Sequence, residues 1–241
     1  LTDYVNPMLG TATLWDSVDL GFKPTKRTWG AEVFPGSSLP NAMVQVSPVT
    51  KFHSGAGYQY EDSVIYGFTH TNKGHWNLCH IPLLPVTGTP TPGDYCSPFS
   101  HERESAAPGY YQVFLDRYGV DAQLSSTLRC AFHKYTYPAG AAASLLADLQ
   151  RSNEHVRAWD IRKEGDNVFA GWQQTGEKMY FYAVANRPVT GIEPVVEGDR
   201  EVRIVRFGEG DGALELRIGF SFVSEKNARE NLERSEERRV G

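Results

Sequence analysis

The sequence predicts an all-β fold, a large antiparallel β-sandwich of the supersandwich type with long loops and a short C-terminal helix start. Three observations predict it. The chain has 241 residues, of which 40% are hydrophobic and 12% aromatic, enough apolar side chain for one large core. Glycine and proline contribute 23 and 14 residues, which favours many turns over long helices. Apolar and polar residues alternate through much of the second half, as in half-buried strands.

The predicted strands differ between the two parts of the chain. Up to about residue 105 the apolar segments are short, such as residues 42–46 and 81–86, and long loops are expected between them. After Gly109 the alternation begins with a strand pair over residues 111–115 and 120–125. Further strands are predicted at residues 128–137, 143–149, 156–163, 167–174, 178–186, 200–207 and 212–220.

The C-terminal segment is of a different kind. Between residues 225 and 239, ten of fifteen residues are charged, five of each sign, which indicates an exposed helix start or a solvated tail. Residues 234–241 resemble the translation of a sequencing-adapter oligonucleotide, so we expect them to be a non-native tail. Residues 1–233 are then expected to be the N-terminal domain of a longer protein.

Charge and composition exclude several classes of partner. The formal net charge of −5 provides no general positive field for a phosphate backbone, so no nucleic-acid partner is expected. No run of 18 apolar residues is present, so no membrane span is expected. Three cysteines, Cys79, Cys96 and Cys130, do not make a disulfide scaffold, and their redox state stays open.

The segment with the most chemistry is residues 67–80, which contain three histidines, a lysine, two asparagines, a tryptophan and a cysteine. It lies between apolar runs at residues 64–68 and 81–86, so a polar loop is predicted between two strands. Imidazole and thiolate are good zinc ligands, but a spacing of five between the histidines fits neither a helix face nor a strand face. Two interpretations stay open: local hydrogen bonding, and contact with a polyhydroxyl ligand through an indole and polar donors.

A second cluster and a set of carboxylates are candidates for a sugar site. Residues 26–36 place Trp29 beside Arg27 and Glu32 on irregular backbone, either as a binding edge or as a buried Trp29 with a surface ion pair. A glycosidase needs two carboxyl groups across the scissile bond. The candidates are Asp16, Asp19, Glu32, Glu61 and Asp62, and none has a neighbourhood that singles it out. The sequence contains none of the common hydrolase or P-loop motifs.

Several short strings, taken in order, resemble the amino-terminal domain of glycoside hydrolase family 92, a family of exo-acting α-mannosidases. They are DYVNPMLGT at 3–11, FPG at 34–36, LPNAMVQVSP at 39–48, SGAGY at 54–58, IYGFTHT at 65–71, FSHE at 99–102, APGYY at 107–111 and SFVS at 221–224. After Thr71 the sequence departs from the Ser-Gly-Thr-Gly type of loop that many members have, which bears on linkage preference. Met8 and Leu9 replace the usual Phe and Ile, a nearly volume-conserving change.

The resemblance implies a β-sandwich packed on a larger helical barrel, with the active site between them. It also implies an inverting mechanism assisted by calcium, with the acid and base carboxylates and most calcium contacts on the helical domain, outside this chain. We therefore expect no catalytic residue and no metal ligand here, and a secreted or periplasmic protein. The residues expected to contact a mannose-containing glycan are Met8, Gly10, Thr11, Trp29, His70, Lys73, His75, Trp76 and Asn77.

The leading hypothesis is a substrate-facing wall of a calcium-dependent exo-α-mannosidase that is inactive without its own C-terminal helical domain. One alternative is a stand-alone lectin-like sandwich that binds glycan through the same loop. A second alternative is a structural interaction domain that binds no sugar. Both alternatives differ from the leading hypothesis because neither needs a helical partner domain.

Overall fold

The computed structural model describes residues 2–13, 21–22, 32–72, 78–91, 93, 95–210 and 212–237. Its strands in chain order are β1 (Ser37–Ser38), β2 (Gln45–Val49), β3 (Val64–Ile65), β4 (Gly67–Thr69), β5 (Leu83–Thr87), β6 (Ser97–Pro98), β7 (Glu104–Ala107), β8 (Tyr110–Leu115), β9 (Val120–Ser126), β10 (Cys130–Thr136), β11 (Ala143–Ala147), β12 (Ala158–Lys163), β13 (Val168–Gln174), β14 (Lys178–Ala185), β15 (Val189–Glu197), β16 (Arg200–Phe207) and β17 (Leu214–Ser221). A helix, α1 (Glu225–Glu237), follows.

The strands form two large sheets with antiparallel pairings. One has seven strands in the order β1-β2-β4-β5-β11-β16-β15, and the other has eight in the order β12-β13-β14-β17-β10-β9-β8-β7. A small sheet pairs β3 with β6. The predicted all-β sandwich is therefore confirmed.

Side chains from the inner faces of both sheets form one core. In β14 the burial alternates strictly, and Met179, Phe181 and Ala183 point inward while their neighbours are only half-buried. In β11 all five residues are buried, because the strand lies in the middle of its sheet and is covered on both faces. Each fully buried large apolar side chain stabilises the fold by roughly 1.5–3 kcal/mol.

The strands predicted after Gly109 are confirmed to within about two residues, whereas β7 and β15 were missed. β15 lacks the alternation of a half-buried strand because it is an edge strand, mostly exposed, with an irregular register between Val189 and Gly191. It also contains Pro194, which an edge strand tolerates because one side of its backbone has no ladder partner.

Helix α1 packs on the outer face of the eight-stranded sheet through Ala228 and Leu232, which are buried. The hydroxyl of Ser224 accepts a hydrogen bond from the backbone N–H of Asn227 at 3.1 Å and so caps the helix start. The predicted helix start is confirmed, and its charged residues lie on the exposed side as ion pairs such as Arg229–Glu233. No helix in the described part of the chain is long and apolar enough to cross a membrane.

We predict that Gly219→Ala destabilises the domain, because a Cβ at this position of β17 would lie 2.1 Å from the carbonyl oxygen of Ala228 in α1. Overpacking of this kind costs roughly 1–3 kcal/mol, and urea unfolding measures it. The control is Gly176→Ala, where a Cβ meets nothing within 4 Å. Equal unfolding midpoints for the two variants would contradict the close helix–sheet contact.

Candidate functional site

Three long loops meet on the seven-stranded sheet: residues 50–63, 70–82 and 148–157, called here the three-loop cluster. The buried Asn153 of the third loop joins them. Its side-chain oxygen accepts from the N–H of His53 at 2.7 Å and its side-chain N–H donates to the carbonyl of Ser54 at 2.9 Å. Its backbone N–H donates to the carbonyl of Leu78 at 2.9 Å. One residue therefore fixes the three loops relative to one another.

The second loop is closed at its base by backbone hydrogen bonds. The N–H of His70 donates to the carbonyl of His80 at 3.1 Å, and the N–H of Cys79 donates to the carbonyl of Thr71 at 2.7 Å. These bonds hold Asn72 close to Leu78, the two described residues that flank 73–77. Five of the predicted sugar contacts lie outside the described residues: Trp29, Lys73, His75, Trp76 and Asn77.

Backbone strain is concentrated in this cluster. Of the six described non-glycine residues with positive φ, four lie in its loops: His53 at 58°, Leu78 at 66°, Cys79 at 59° and Ile81 at 55°. The left-handed region disfavours L-residues, most of all a β-branched one such as Ile81, at roughly 1–3 kcal/mol each. Strain of this kind persists only where the surrounding contacts impose it, and it marks candidate functional loops.

Gln173 supplies hydrogen bonds that hold the strained backbone of the cluster in place. This buried residue of β13, in the opposite sheet, accepts from the N–H of Ile81 at 2.7 Å and donates to the carbonyls of Leu149 and Arg151 at 2.9 and 2.8 Å. Sequence analysis missed it, although the alternation of β13 places Gln173 on the same inward face as Phe169. A polar residue at an apolar position of the pattern was the available signal.

His70 lies beneath the second loop rather than on its surface. Its side chain is fully buried, its Nδ1–H donates to the carbonyl of Ile81 at 2.9 Å, and its Nε2 faces Nε2 of His133 at 3.1 Å. Since Ile81 only accepts, His133 must donate to His70, and the hydroxyl of Tyr135 donates to Nδ1 of His133 at 2.5 Å. Burial lowers the pKa of His70 to about 3, so this chain of hydrogen bonds joins neutral imidazoles.

His80 makes a second buried connection. The hydroxyl of Thr71 donates to its Nδ1 at 2.8 Å, and its Nε2–H donates to Thr175, whose hydroxyl donates in turn to Glu154. Burial lowers the pKa of His80, and the nearby Glu154 carboxylate opposes that shift. The second loop is thereby tied to the turn after β13 and to the third loop.

The start motif, residues 8–11, lies against the first loop. The carbonyl of Thr11 accepts from the N–H of Tyr60 at 3.1 Å, and Met8 packs on the core. Gly10 has φ of 84°, a conformation that glycine adopts at no steric cost. Nearby, Glu61 accepts from both the N–H and the hydroxyl of Thr13. Of the start motif, Thr11 contacts the first loop directly, whereas Met8 packs on the core.

A buried carboxylate that sequence analysis missed stands behind the first loop. Glu104 accepts from the hydroxyls of Tyr58 and Tyr111 at 2.9 and 2.5 Å and from Nδ1 of His101 at 2.5 Å. The other nitrogen of His101 faces the carbonyl of Tyr60 at 2.6 Å. Glu104 thus connects Tyr58, Tyr111 and His101, and His101 continues the contact to Tyr60 in the first loop. The family string FSHE at 99–102 includes His101 but ends before its partner, Glu104.

The described residues do not fit a metal site. They contain no group of three or more His, Cys, Asp or Glu side chains placed to hold a metal ion. Burial raises the pKa of the Cys79 thiol to about 12, so in the absence of a metal this cysteine is a neutral thiol. His70 and His80 use both ring nitrogens in the hydrogen bonds above.

Comparison with known proteins gives the same fold in one family. The family model for the glycosyl hydrolase family 92 N-terminal domain matches residues 4–228. A family GH92 α-mannosidase from Bacteroides thetaiotaomicron is similar in structure, with a TM-score of 0.82, 24% identity, and coverage of 97% of this chain and 35% of that one. The family GH92 inverting mannosidase from the same organism gives a TM-score of 0.78 and 23% identity, with coverage of 97% and 33%.

A gh92 family glycosyl hydrolase gives a TM-score of 0.74 at 24% identity and covers 95% of this chain and 33% of its own. The chain therefore spans about a third of the length of these solved relatives. At these identities the likeness shows the fold. No curated protein matches the chain.

We predict that Asn153→Ala destabilises the domain, because the N–H of His53 and the carbonyl of Ser54 both lose their partner. Leaving buried polar groups unpaired costs about 1–3 kcal/mol each. The control is Asn186→Ala: Asn186 also bridges a backbone N–H and a carbonyl, of Glu215 and Ala213, but is exposed, so water replaces it. Chemical denaturation with equal losses for both variants would contradict the joining role of Asn153.

We predict that the stability of the domain falls as the pH decreases below about 6.5. The pKa values of His70, His80 and His133 are lowered by burial, so the unfolded chain binds protons that the folded chain excludes. Each excluded proton costs up to about 1.4 kcal/mol per pH unit. Urea midpoints at pH 7, 6 and 5 measure the slope, which His133→Gln is expected to make shallower. A slope unchanged in that variant would contradict the neutral-imidazole arrangement.

Proposed function

The chain belongs to glycosyl hydrolase family 92, and from this premise we propose that it forms one wall of an active site that removes terminal α-linked mannose from glycans. The observation that carries the proposal is the three-loop cluster, where strained backbone, the start motif and the base of the polar loop 70–82 come together. One solved relative is described as an α-mannosidase, alone and in complex with mannoimidazole, and another as an inverting mannosidase.

In the proposed site the chain binds and orients the sugar. Trp29 and Trp76 stack on a sugar face, while Lys73, His75 and Asn77 donate to hydroxyls. Met8, Gly10 and Thr11 shape the edge next to the first loop. His70 is a positioning residue in this scheme, because its buried ring holds the base of the loop and offers no surface to a ligand.

The described carboxylates near the cluster support a catalytic apparatus outside this chain. Each of them already accepts hydrogen bonds within the domain: Glu61 from Thr13, Asp62 from Thr50, Glu104 from two tyrosines and a histidine, and Glu154 from Thr175. An inverting glycosidase needs an acid and a base roughly 6.5–9.5 Å apart with room for a water between them. We therefore assign both groups, and the inverting displacement, to a C-terminal helical domain of the same protein.

Calcium is assigned to that domain as well. Calcium prefers six to eight oxygen ligands, and the described residues do not provide such a set. No step that this chain performs depends on the metal. We further propose that the enzyme works in the periplasm or outside the cell, where mannose-containing glycans are exposed to it.

The test uses this chain alone and the full-length protein that the native gene encodes. We expect no hydrolysis of α-mannobiose by the chain alone and turnover by the full-length protein. Trp76→Ala is expected to lower kcat/KM of the latter at least tenfold, the equivalent of about 1.4 kcal/mol. The control is Trp172→Ala on β13, outside the three loops, where Lys178 covers the ring at 3.8 Å.

Hydrolysis by the chain alone would overturn the assignment of catalysis to another domain. Mannose binding by the chain together with an inactive full-length protein would favour the lectin-like alternative. Absence of both binding and turnover would favour a structural interaction domain.

A further inference from the structure

A concave site of about 660 Å³ lies at the seam between the two sheets, where the first and third loops of the three-loop cluster meet β12 and β16. It is lined by residues 150–152 and 154–160 together with Phe52, His53 and two residues of β16, Glu201 and Arg203. This lining is called here the seam pocket. Its volume is within the range of about 300–1,000 Å³ that small-molecule sites occupy.

The seam pocket forms where the edges of the two sheets approach each other. β12 is the edge strand of the eight-stranded sheet, and β16 is next to β15, the edge strand of the seven-stranded sheet. β12 contacts β15 across the seam. An edge strand presents backbone N–H and C=O groups that have no ladder partner, so the pocket has directional donors and acceptors besides its side chains.

Three side chains suited to a sugar lie at the start of β12 or just before it: His155, Arg157 and Trp159. The N–H of Arg157 donates to the carbonyl of Gln174 at 2.8 Å, which extends the strand pairing by one residue and places Arg157 and Trp159 on one side. The indole of Trp159 is half-buried, and the guanidinium of Arg203 lies 5.1 Å from its ring centroid. The side chains of His155 and Arg157 are exposed and make no hydrogen bond or ion pair with another residue in the described ranges.

The charges of the lining point to a neutral ligand. The lining contains equal numbers of arginines and carboxylates: Arg151, Arg157, Arg203, Glu154, Asp160 and Glu201. Such a balance provides no net field to attract an anion or a cation. An indole surrounded by donors and acceptors of both kinds suits a ligand with an apolar face and many hydroxyls, which is a saccharide.

The seam pocket shares two of its walls with the candidate active site. Phe52 and His53 belong to the first loop and Glu154 to the third. Glu154 also ends the chain of hydrogen bonds that starts at Thr71 in the second loop. A glycan that presents its terminal sugar to the three-loop cluster therefore has a second polar surface next to it.

We propose that the seam pocket binds an internal saccharide unit of the glycan whose terminal mannose the three-loop cluster receives. The inference rests on the proposed function and adds a second subsite to it. Trp159 packs on the sugar face, His155 and Arg157 donate to its hydroxyls, and Glu154 accepts from them. The pocket then makes the protein prefer longer oligosaccharides over a single mannoside.

The experiment measures the affinity of this chain for methyl α-mannoside and for linear α-mannotriose by NMR titration. Wild type is expected to bind the trisaccharide more tightly. Arg157→Ala and Trp159→Ala are expected to weaken trisaccharide binding at least fivefold and to leave monosaccharide binding unchanged. Arg157→Ala removes an exposed side chain without a partner in the described structure, so it tests the site without a risk to folding. Trp172→Ala is the matched control and is expected to change neither affinity.

Trisaccharide affinity that is unchanged in both seam variants would overturn the inference. If Trp76→Ala abolishes binding in that case, the proposed function stands without a seam subsite. If the seam variants weaken binding and Trp76→Ala does not, the seam pocket is a glycan site while the proposed active-site wall is wrong. Wild type that binds neither probe would overturn the seam subsite, while turnover by the full-length protein decides the proposed function separately.

Discussion

The three-loop cluster depends on two buried side-chain amides. Asn153 joins all three loops, and Gln173 reaches from the opposite sheet to the strained Ile81 and to the third loop. Polar loops that cover an apolar core bring backbone groups out of water, and each of those groups needs a partner. An amide both donates and accepts, so one such side chain satisfies groups on two segments at once.

Neutral histidines also provide hydrogen-bond partners for buried groups deeper in the fold. His70 and His133 lie among aromatic rings, with Phe220 4.6 Å and Phe68 6.4 Å away between ring centroids, where a charged imidazole would be expensive. The carbonyl of Ile81 fixes the tautomer of His70, and the tautomer of His133 follows from it. Left-handed backbone at Leu78, Cys79 and Ile81 is tolerated because hydrogen bonds hold this segment from both sides.

The strands after Gly109 were predictable because half-buried strands alternate in sequence, and β15 was not because an edge strand has no such requirement. The polar loop and the start motif were also predictable, since each is one short stretch of sequence that can be recognised from its own residues. The joining roles of Asn153 and Glu104 were not, because the side-chain partners of Asn153 are 99 and 100 residues away and Tyr58, which ties Glu104 to the first loop, is 46 residues away. For His70 the sequence predicted a ligand contact that the structure does not show. The residue is buried by β10 and β17, and the sequence around His70 does not reveal these distant contacts.

The proposal of a wall that binds without cleaving rests on how the described carboxylates are used. A catalytic acid or base must exchange protons with the substrate, so its carboxyl group has to be free to face it. Glu61, Asp62 and Glu104 each accept from hydroxyl or imidazole donors of the domain itself, and withdrawing any of them would leave those donors unpaired. In the same region the exposed His155 and Arg157 have no such structural duty. These three carboxylates therefore build the loops, which supports the proposal that the catalytic acid and base lie on a second domain.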